Sequence, residues 1–205
     1  MSGHLLTVTH IEDLTPRMRR VHFDGPGIAG YVNAGPHVPN VKLYFPAPGR
    51  PLDLPDRGEH GWDWKPGQRE RVRTYTVSRL AEDASTMAVD CVRHRGTSVA
   101  ASWAESAARG DQIAALAGGG AVVGEAEWDL LAGDETALPA IAGTLERFGP
   151  QQRGLAVIEV AGPEEEQVLP APDGVQVRWL HRNGAAPGTT TLLADALGAD
   201  MPSQP

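Results

Sequence analysis

The hydrophobic pattern of this chain changes period near residue 125. Before that point, apolar and β-branched residues come in short runs interleaved with polar ones, the spacing of half-buried strands. Six such runs are legible, at residues 5–8, 17–23, 41–46, 69–78, 87–94 and 111–117. Turn-forming residues separate them at 12–16, 24–27 and 82–85, and Pro46 is expected to stop the third run because proline cannot donate to a ladder. Residues 46–68 are rich in Pro, Gly and Asp and read as a long surface loop with Trp62 and Trp64 near its end. One helix is expected at 99–110: Thr97 or Ser98 caps its start, alanine supplies the propensity and Gly110 closes it. Short strands at regular spacing, with no long helix ahead of them, predict a six-stranded antiparallel barrel over residues 1–124. Residues 118–124 serve as a pliable junction.

After the junction the apolar residues arrive in blocks. A short strand at 128–132, a turn and cap at 133–136 and a helix at 137–148 come first. The near-continuous apolar run at 155–160 is typical of a buried parallel strand. An acidic loop at 164–166, a strand at 175–180 and a helical segment at 189–197 complete a β-α-β-loop-β-α order. That order predicts a small parallel sheet covered by helices over residues 125–205.

Two stretches carry candidate chemistry. In the run 69–78, strand alternation puts Arg71, Arg73 and Tyr75 on one face. A guanidinium two residues before an aromatic ring, with a hydroxyl beside the ring, suits a phosphate attached to a flat π-system. The plainer reading of the run alone is a half-exposed strand with a solvated basic edge. The second stretch is the helix start at Ser98, where small residues let a phosphate approach unpaired backbone N–H groups; such a helix is equally a common cover for a barrel end. The glycines at 118–120 do not form the dinucleotide fingerprint, because their spacing is wrong and no helix start follows directly.

Composition narrows the field. The 41% hydrophobic and 21% charged residues of this 205-residue chain are ordinary for a globular protein. The single cysteine, Cys91, excludes an intramolecular disulfide and a cysteine-ligated cluster within one chain, and the seven histidines show no metal-ligand spacing. No apolar run approaches the roughly 20 residues of a membrane span. With no leader pattern at the N-terminus, a cytoplasmic location without stable membrane association is expected. The net charge of −8 speaks against a nucleic-acid binder. Residues 1–100 hold 13 Lys/Arg and 11 Asp/Glu, net +2, whereas the remainder hold 5 and 15, net −10. The first half is therefore the better host for an anionic ligand.

A barrel followed by a parallel sheet, with Arg73-Thr74-Tyr75-Thr76-Val77 late in the barrel, resembles the ferredoxin-reductase-like flavoproteins. More closely, the chain resembles the siderophore-interacting protein family of FAD-dependent ferric-siderophore reductases. The matching segments are 41–46, 73–77, His94 with 96–103, 109–111, the Gly-Asp-Glu-Thr-Ala-Leu-Pro-Ala-Ile run at 133–141, and 179–182, in family order over nearly the whole chain.

The resemblance implies an FAD site. Arg73 would bind an FAD phosphate, Tyr75 would stack on the isoalloxazine, Thr76 would hydrogen-bond near the flavin N5, and Val77 would belong to the same cofactor-binding run. Tyr75 and Thr76 are thereby the residues nearest the chemistry. His94 would lie beside the flavin, and Ser98, Val99, Ala100, Ala101 and Ser102 would receive the pyrophosphate. Ala101 has no hydroxyl, which leaves only its N–H. Lys42 would engage the anionic ferric siderophore, with Arg71 or Arg79 as weaker cations, and Gly133, Asp134 and Thr136 would form the NAD(P)H edge. Glu159 and Arg182 are secondary candidates for a ribose hydroxyl and a 2′-phosphate. The family's arginine two positions after the threonine is replaced by Ser78, and the neighbouring Arg79 is expected to point to the opposite face. Family members continue beyond the last strand seen here, so the nicotinamide module is expected to be truncated. The implied activity is transfer of electrons from NAD(P)H through FAD to a ferric siderophore by a monomer. A non-catalytic flavin- or siderophore-binding module and a general NAD(P)H:flavin reductase remain the alternatives.

Overall fold

The structure is a computed structural model that describes residues 5–31, 37–59, 61–93, 98–122 and 126–200. The chain forms two compact units, residues 1–122 and 123–205.

In the first unit, six strands close into an antiparallel barrel in the order β1-β2-β7-β6-β3-β8. They are β1 (Leu5–Thr15), β2 (Met18–Asp24), β3 (His37–Tyr44), β6 (Val72–Leu80), β7 (Thr86–Val92) and β8 (Gln112–Val122). Leu6, Val8, Val21, Phe23, Val41, Leu43, Val89 and Ile113 are fully buried and fill the barrel, as their alternation predicts. The turn expected at 12–16 is in fact mostly strand. Glu12 stands opposite Arg20 and Asp13 opposite Arg19, whose Nε meets Asp13 Oδ1 at 2.6 Å, so cross-strand charge pairs carry the ladder to Thr15.

The third strand starts earlier than expected, at His37, and contains Pro39. Pro39 lies beyond the β6 pairing, where β3 is laddered to β8 alone, a place where strand proline is tolerated. Pro39, Asn40 and Val41 stand opposite Gly120, Gly119 and Gly118, so residues 118–122 are strand and not junction. The loop 46–68 also differs from expectation. It carries a hairpin of β4 (Asp56–Gly58) and β5 (Gly61–Asp63), and Leu52, Leu54, Trp62 and Trp64 pack on buried Tyr44, Ala114 and Leu116.

Arg71 anchors that loop. It ends a 3-10 turn at Arg69–Arg71, one residue before β6, and therefore does not share a strand face with Arg73 and Tyr75. Its Nη1 and Nη2 donate to Asp53 Oδ1 and Oδ2 at 2.6 and 2.9 Å, and its guanidinium carbon sits 4.7 Å from the centre of the Tyr44 ring. Tyr44 Oη and Gln68 Nε2 both donate to the Asp53 carbonyl, at 2.8 and 3.0 Å.

In the second unit, β9 (Asp129–Asp134), β10 (Gly154–Val160) and β11 (Val175–His181) form a parallel sheet with β10 central and wholly buried. Helix α2 (Leu138–Leu145) follows β9, and α3 (Leu192–Asp200) packs Ala196 against Leu155 and Val157. The barrel-then-parallel-sheet fold predicted from the sequence is the fold observed.

Candidate functional site

The site in the barrel unit is built on β6. Arg73 is paired with Leu43 and Tyr75 with Val41, and Val77 is buried, so these three take the core-facing side of the strand. Thr74 and Thr76 take the other side, opposite Lys42 and Asn40. Tyr75 is half-buried, its ring edge-on to Phe45 with centroids 6.2 Å apart. Burial pushes its phenol well above the ordinary range, and its hydroxyl shares a hydrogen bond with the Cys91 thiol, itself pushed up to about 12 by burial. Arg73 is exposed at the barrel end and donates from Nη1 to the carbonyls of Glu70 and Val72 at 2.7 and 2.8 Å. Lys42 is exposed, with Nζ 3.3 Å from Thr74 Oγ1. Neither cation makes an ion pair among the described residues, so both charges stay open to an anion.

A bulge corrects the expectation for Arg79. The ladder with β7 runs Val77 to Val89 and then Arg79 to Ala88, which leaves Ser78 as one extra residue on β6. The one-residue offset is absorbed, and Arg79 stands at the register position that Ser78 would hold in a regular strand. Ser78 Oγ is buried in the bulge without a hydrogen-bond partner among the described residues. Arg71, committed to Asp53, is not available to a ligand.

Helix α1 (Val99–Ser106) starts as the sequence predicts, with Ser98 Oγ accepting from the Ala101 N–H at 3.3 Å. It ends at Ser106, short of Gly110. Ala100 and Ala101 are buried against the barrel, while Ser102 is exposed. Phe45 joins this helix to β6: its ring lies 5.3 Å from Trp103 of α1 and 6.2 Å from Tyr75. Helix α1 and the Tyr75 face of β6 thus cover one aromatic core. His94 and Thr97 lie outside the described residues.

In the second unit, Gly133, Asp134 and Thr136 end β9 at the carboxyl edge of the parallel sheet, where open α/β sheets bind ligands. Asp134 Oδ1 accepts from both the N–H and the hydroxyl of Thr136, at 2.9 and 2.5 Å, so that oxygen is spent on its own turn. Gly133 lies under Ala137, whose Cβ leaves no room for a side chain there. Glu159 and Arg182 are not open to a ligand. Arg182 is buried, donates to both oxygens of Glu135 at 2.7 and 2.5 Å, and reaches Glu159 at 3.4 Å; Glu159 Oε2 accepts from the Thr190 hydroxyl at 3.0 Å. The Glu135 carboxylate is the main cause that raises the Arg182 guanidinium above its ordinary value. Sequence reasoning missed this clamp, although Glu135 lay within the most specific segment it singled out.

The donor set fits an anionic flavin nucleotide: an open guanidinium and a capped helix start border one aromatic core, and an open ammonium with two strand hydroxyls lies on the other face of the same two strands. A closed antiparallel barrel of this kind, followed by a parallel sheet, is the architecture of the ferredoxin-reductase-like flavoproteins. Residues 7–122 match the siderophore-interacting FAD-binding domain, and residues 126–204 match the siderophore-interacting protein domain that accompanies it. The chain belongs to the siderophore-interacting protein family.

A siderophore utilization protein from T. fusca superposes with a TM-score of 0.83 at 37% identity, covering 98% of this chain and 76% of that one. An uncharacterized protein of Mycobacterium tuberculosis strain H37Rv is 40% identical over 192 residues, 89% of this chain and 66% of the relative. The ferric vibriobactin reductase ViuB of Vibrio cholerae is 29% identical over 185 residues, 87% of this chain and 66% of the relative. The chain thus spans about two thirds of the length of the curated relatives it matches. Among the described residues no helix is long and apolar enough to cross a membrane.

Proposed function

We propose that this chain binds FAD on its barrel and reduces ferric siderophores with electrons from NAD(P)H, releasing iron in the cytoplasm as a monomer. The observation that carries the reading is the pair of exposed cations on adjacent strands, Lys42 of β3 with Nζ 3.3 Å from Thr74 Oγ1 and Arg73 at the barrel end, neither ion-paired among the described residues. Arg73 and the α1 start, with Ser98, Val99, Ala100, Ala101 and Ser102, would hold the phosphates, and Tyr75, Thr76 and Val77 the ring system. FAD, when bound, supplies the conversion of a two-electron donor into one-electron reduction, and Fe(II) grips hard oxygen ligands more weakly than Fe(III). Lys42 draws the anionic chelate to this face and fixes it there. The Gly133, Asp134 and Thr136 turn would receive the nicotinamide nucleotide, with Asp134 Oδ1 holding the Thr136 N–H and hydroxyl in place.

Stopped-flow mixing of FAD-loaded protein with NADH and with NADPH tests the donor. Loss of flavin absorbance with at least one nucleotide is expected, and no bleaching with either removes the nicotinamide-driven reaction. Lys42→Ala should raise KM for an anionic ferric chelate about fivefold, within the roughly 0.2–1 kcal/mol of an exposed charge pair, and leave flavin bleaching unchanged. Unchanged chelate reduction in this variant would make the chain a general NAD(P)H:flavin reductase.

A further inference from the structure

The carboxyl edge of the parallel sheet, where open α/β folds bind nucleotides, offers no free cation among the described residues. Three connections leave that edge, at residues 135–137 after β9, 161–174 after β10 and 182–191 after β11. Arg182 is the single Lys or Arg in them, against Glu135, Glu164, Glu165, Glu166 and Asp173. Resting on the nicotinamide reading above, we infer that this edge selects NADH over NADPH. Glu166 reads the difference, accepting from the hydroxyls of the adenosine ribose, one of which carries a phosphate in NADPH.

The one guanidinium is spent on the sheet. The Arg182 side chain is 0% exposed and donates to both oxygens of Glu135, at 2.7 and 2.5 Å, with Glu159 Oε1 at 3.4 Å. Its backbone is fixed as well, because the N–H groups of Arg182 and Asn183 donate to the carbonyls of Val160 and Ala161, both at 3.0 Å. Turning Arg182 toward a ligand phosphate would leave two buried carboxylates without their cation, and that is strongly unfavourable. His181 is the remaining basic group at the end of β11, and its Nε2 already meets Glu166 Oε1 at 2.8 Å.

The ribose acceptor follows by the same accounting. An acid at the end of the second strand is the usual partner of ribose hydroxyls, but Glu159 gives Oε1 to Arg182 and Oε2 to the Thr190 hydroxyl. The loop after β10 supplies another. A 3-10 turn at Pro163–Glu165 delivers Glu166 to the edge, and His181 holds its Oε1 there. The side chain is 41% exposed, and Oε2 has no hydrogen-bond partner among the described residues, so it is open to a hydroxyl donor. A 2′-phosphate has no such proton to give and adds close to two negative charges at neutral pH. It would meet the exposed carboxylates of Glu164 and Glu166 at a range where salt screens little.

The test is calorimetric titration of the FAD-loaded full chain with NAD⁺ and NADP⁺, the oxidised forms, which bind without reducing the flavin. The wild type should bind NAD⁺ at least tenfold more tightly, and 2′,5′-ADP should slow flavin bleaching by NADH no better than 5′-AMP does. Glu166→Arg puts a cation where the ribose carboxylate stood. It should tighten NADP⁺ at least tenfold and weaken NAD⁺ severalfold, with circular dichroism and the melting temperature verifying the fold. Glu166→Gln keeps an acceptor without the charge and should leave NAD⁺ within about threefold of wild type. Equal affinities, or tighter NADP⁺, in the wild type overturn the inference while leaving the nicotinamide reading standing. A preference for NAD⁺ that Glu166→Arg does not alter overturns the assignment to Glu166. If neither nucleotide binds and neither reduced form bleaches the flavin, the nicotinamide reading falls and the inference with it.

Discussion

Asp53 shows how one loop residue, 18 positions before Arg71 in sequence, ties its loop to the start of β6. The Arg71 guanidinium beside it, aided by Gln68, holds its carboxyl at about 2, below the ordinary 3.8, although the side chain is more than half exposed. A carboxylate whose folded value is depressed adds stability that is fully present above its unfolded value and is lost as pH falls through the folded one. The melting temperature of the wild type should therefore drop between pH 4 and pH 2, and Asp53→Asn should flatten that part of the profile; an unaltered acid limb would show that Asp53 is not the titrating group. Asp53→Ala at neutral pH leaves the buried Arg71 without its carboxylate and should cost about 1–3 kcal/mol in chemical denaturation. The sequence showed Arg71 only as one more basic residue beside a strand. Its partner lies 18 positions earlier in a loop of low hydrophobicity, and no local pattern reports a pair at that separation. That Arg73 and Tyr75 share one face of β6, with Thr76 on the other, was legible because strand alternation is local; the roles proposed for them come from the family resemblance.

Elements were legible where the period of the pattern decided them and illegible where a partner did. The alternation of β1, β2, β6 and β7 and the apolar block of β10 follow from burial on one or both faces, and their existence was read correctly. The glycines of β8 have no strand propensity of their own and are strand only because β3 ladders against them. The Ser78 bulge is likewise decided by β7, since Ala88 selects Arg79 and not Ser78 as its neighbour. At the β9 to α2 connection the close approach of backbone to helix is what the glycine permits. Gly133→Ala would drive a new Cβ into Ala137 Cβ, a small side chain with no rotamer to yield, and should destabilise by about 1–3 kcal/mol. Gly149→Ala, with open space around its Cβ position, should stay within about 0.5 kcal/mol of wild type. Urea unfolding of both variants checks the contrast, and equal effects would mean that α2 can shift away from β9.

At the scale of the whole molecule, charge opposes the proposed substrate while the site attracts it. The chain carries a net −8, and that charge resides after residue 100, where 15 Asp/Glu face 5 Lys/Arg. An anionic ferric chelate therefore meets a repulsive long-range field and a short-range pull from Lys42 and Arg73, both of which lie before residue 100. Salt separates the two, because the screening length falls from about 30 Å at 0.01 M to about 8 Å at 0.15 M, which removes the distant repulsion and leaves contacts at the face. The second-order rate constant for reduction of an anionic ferric chelate should rise severalfold between those salt concentrations, and that for a neutral chelate should stay flat. Lys42→Glu should lower the rate for the anionic chelate at both concentrations without changing the sign of the salt effect. A rate that falls with salt in the wild type would show instead that the local cations of β3 and β6 dominate the encounter, so that the acidic second unit contributes little to the field at the substrate's approach.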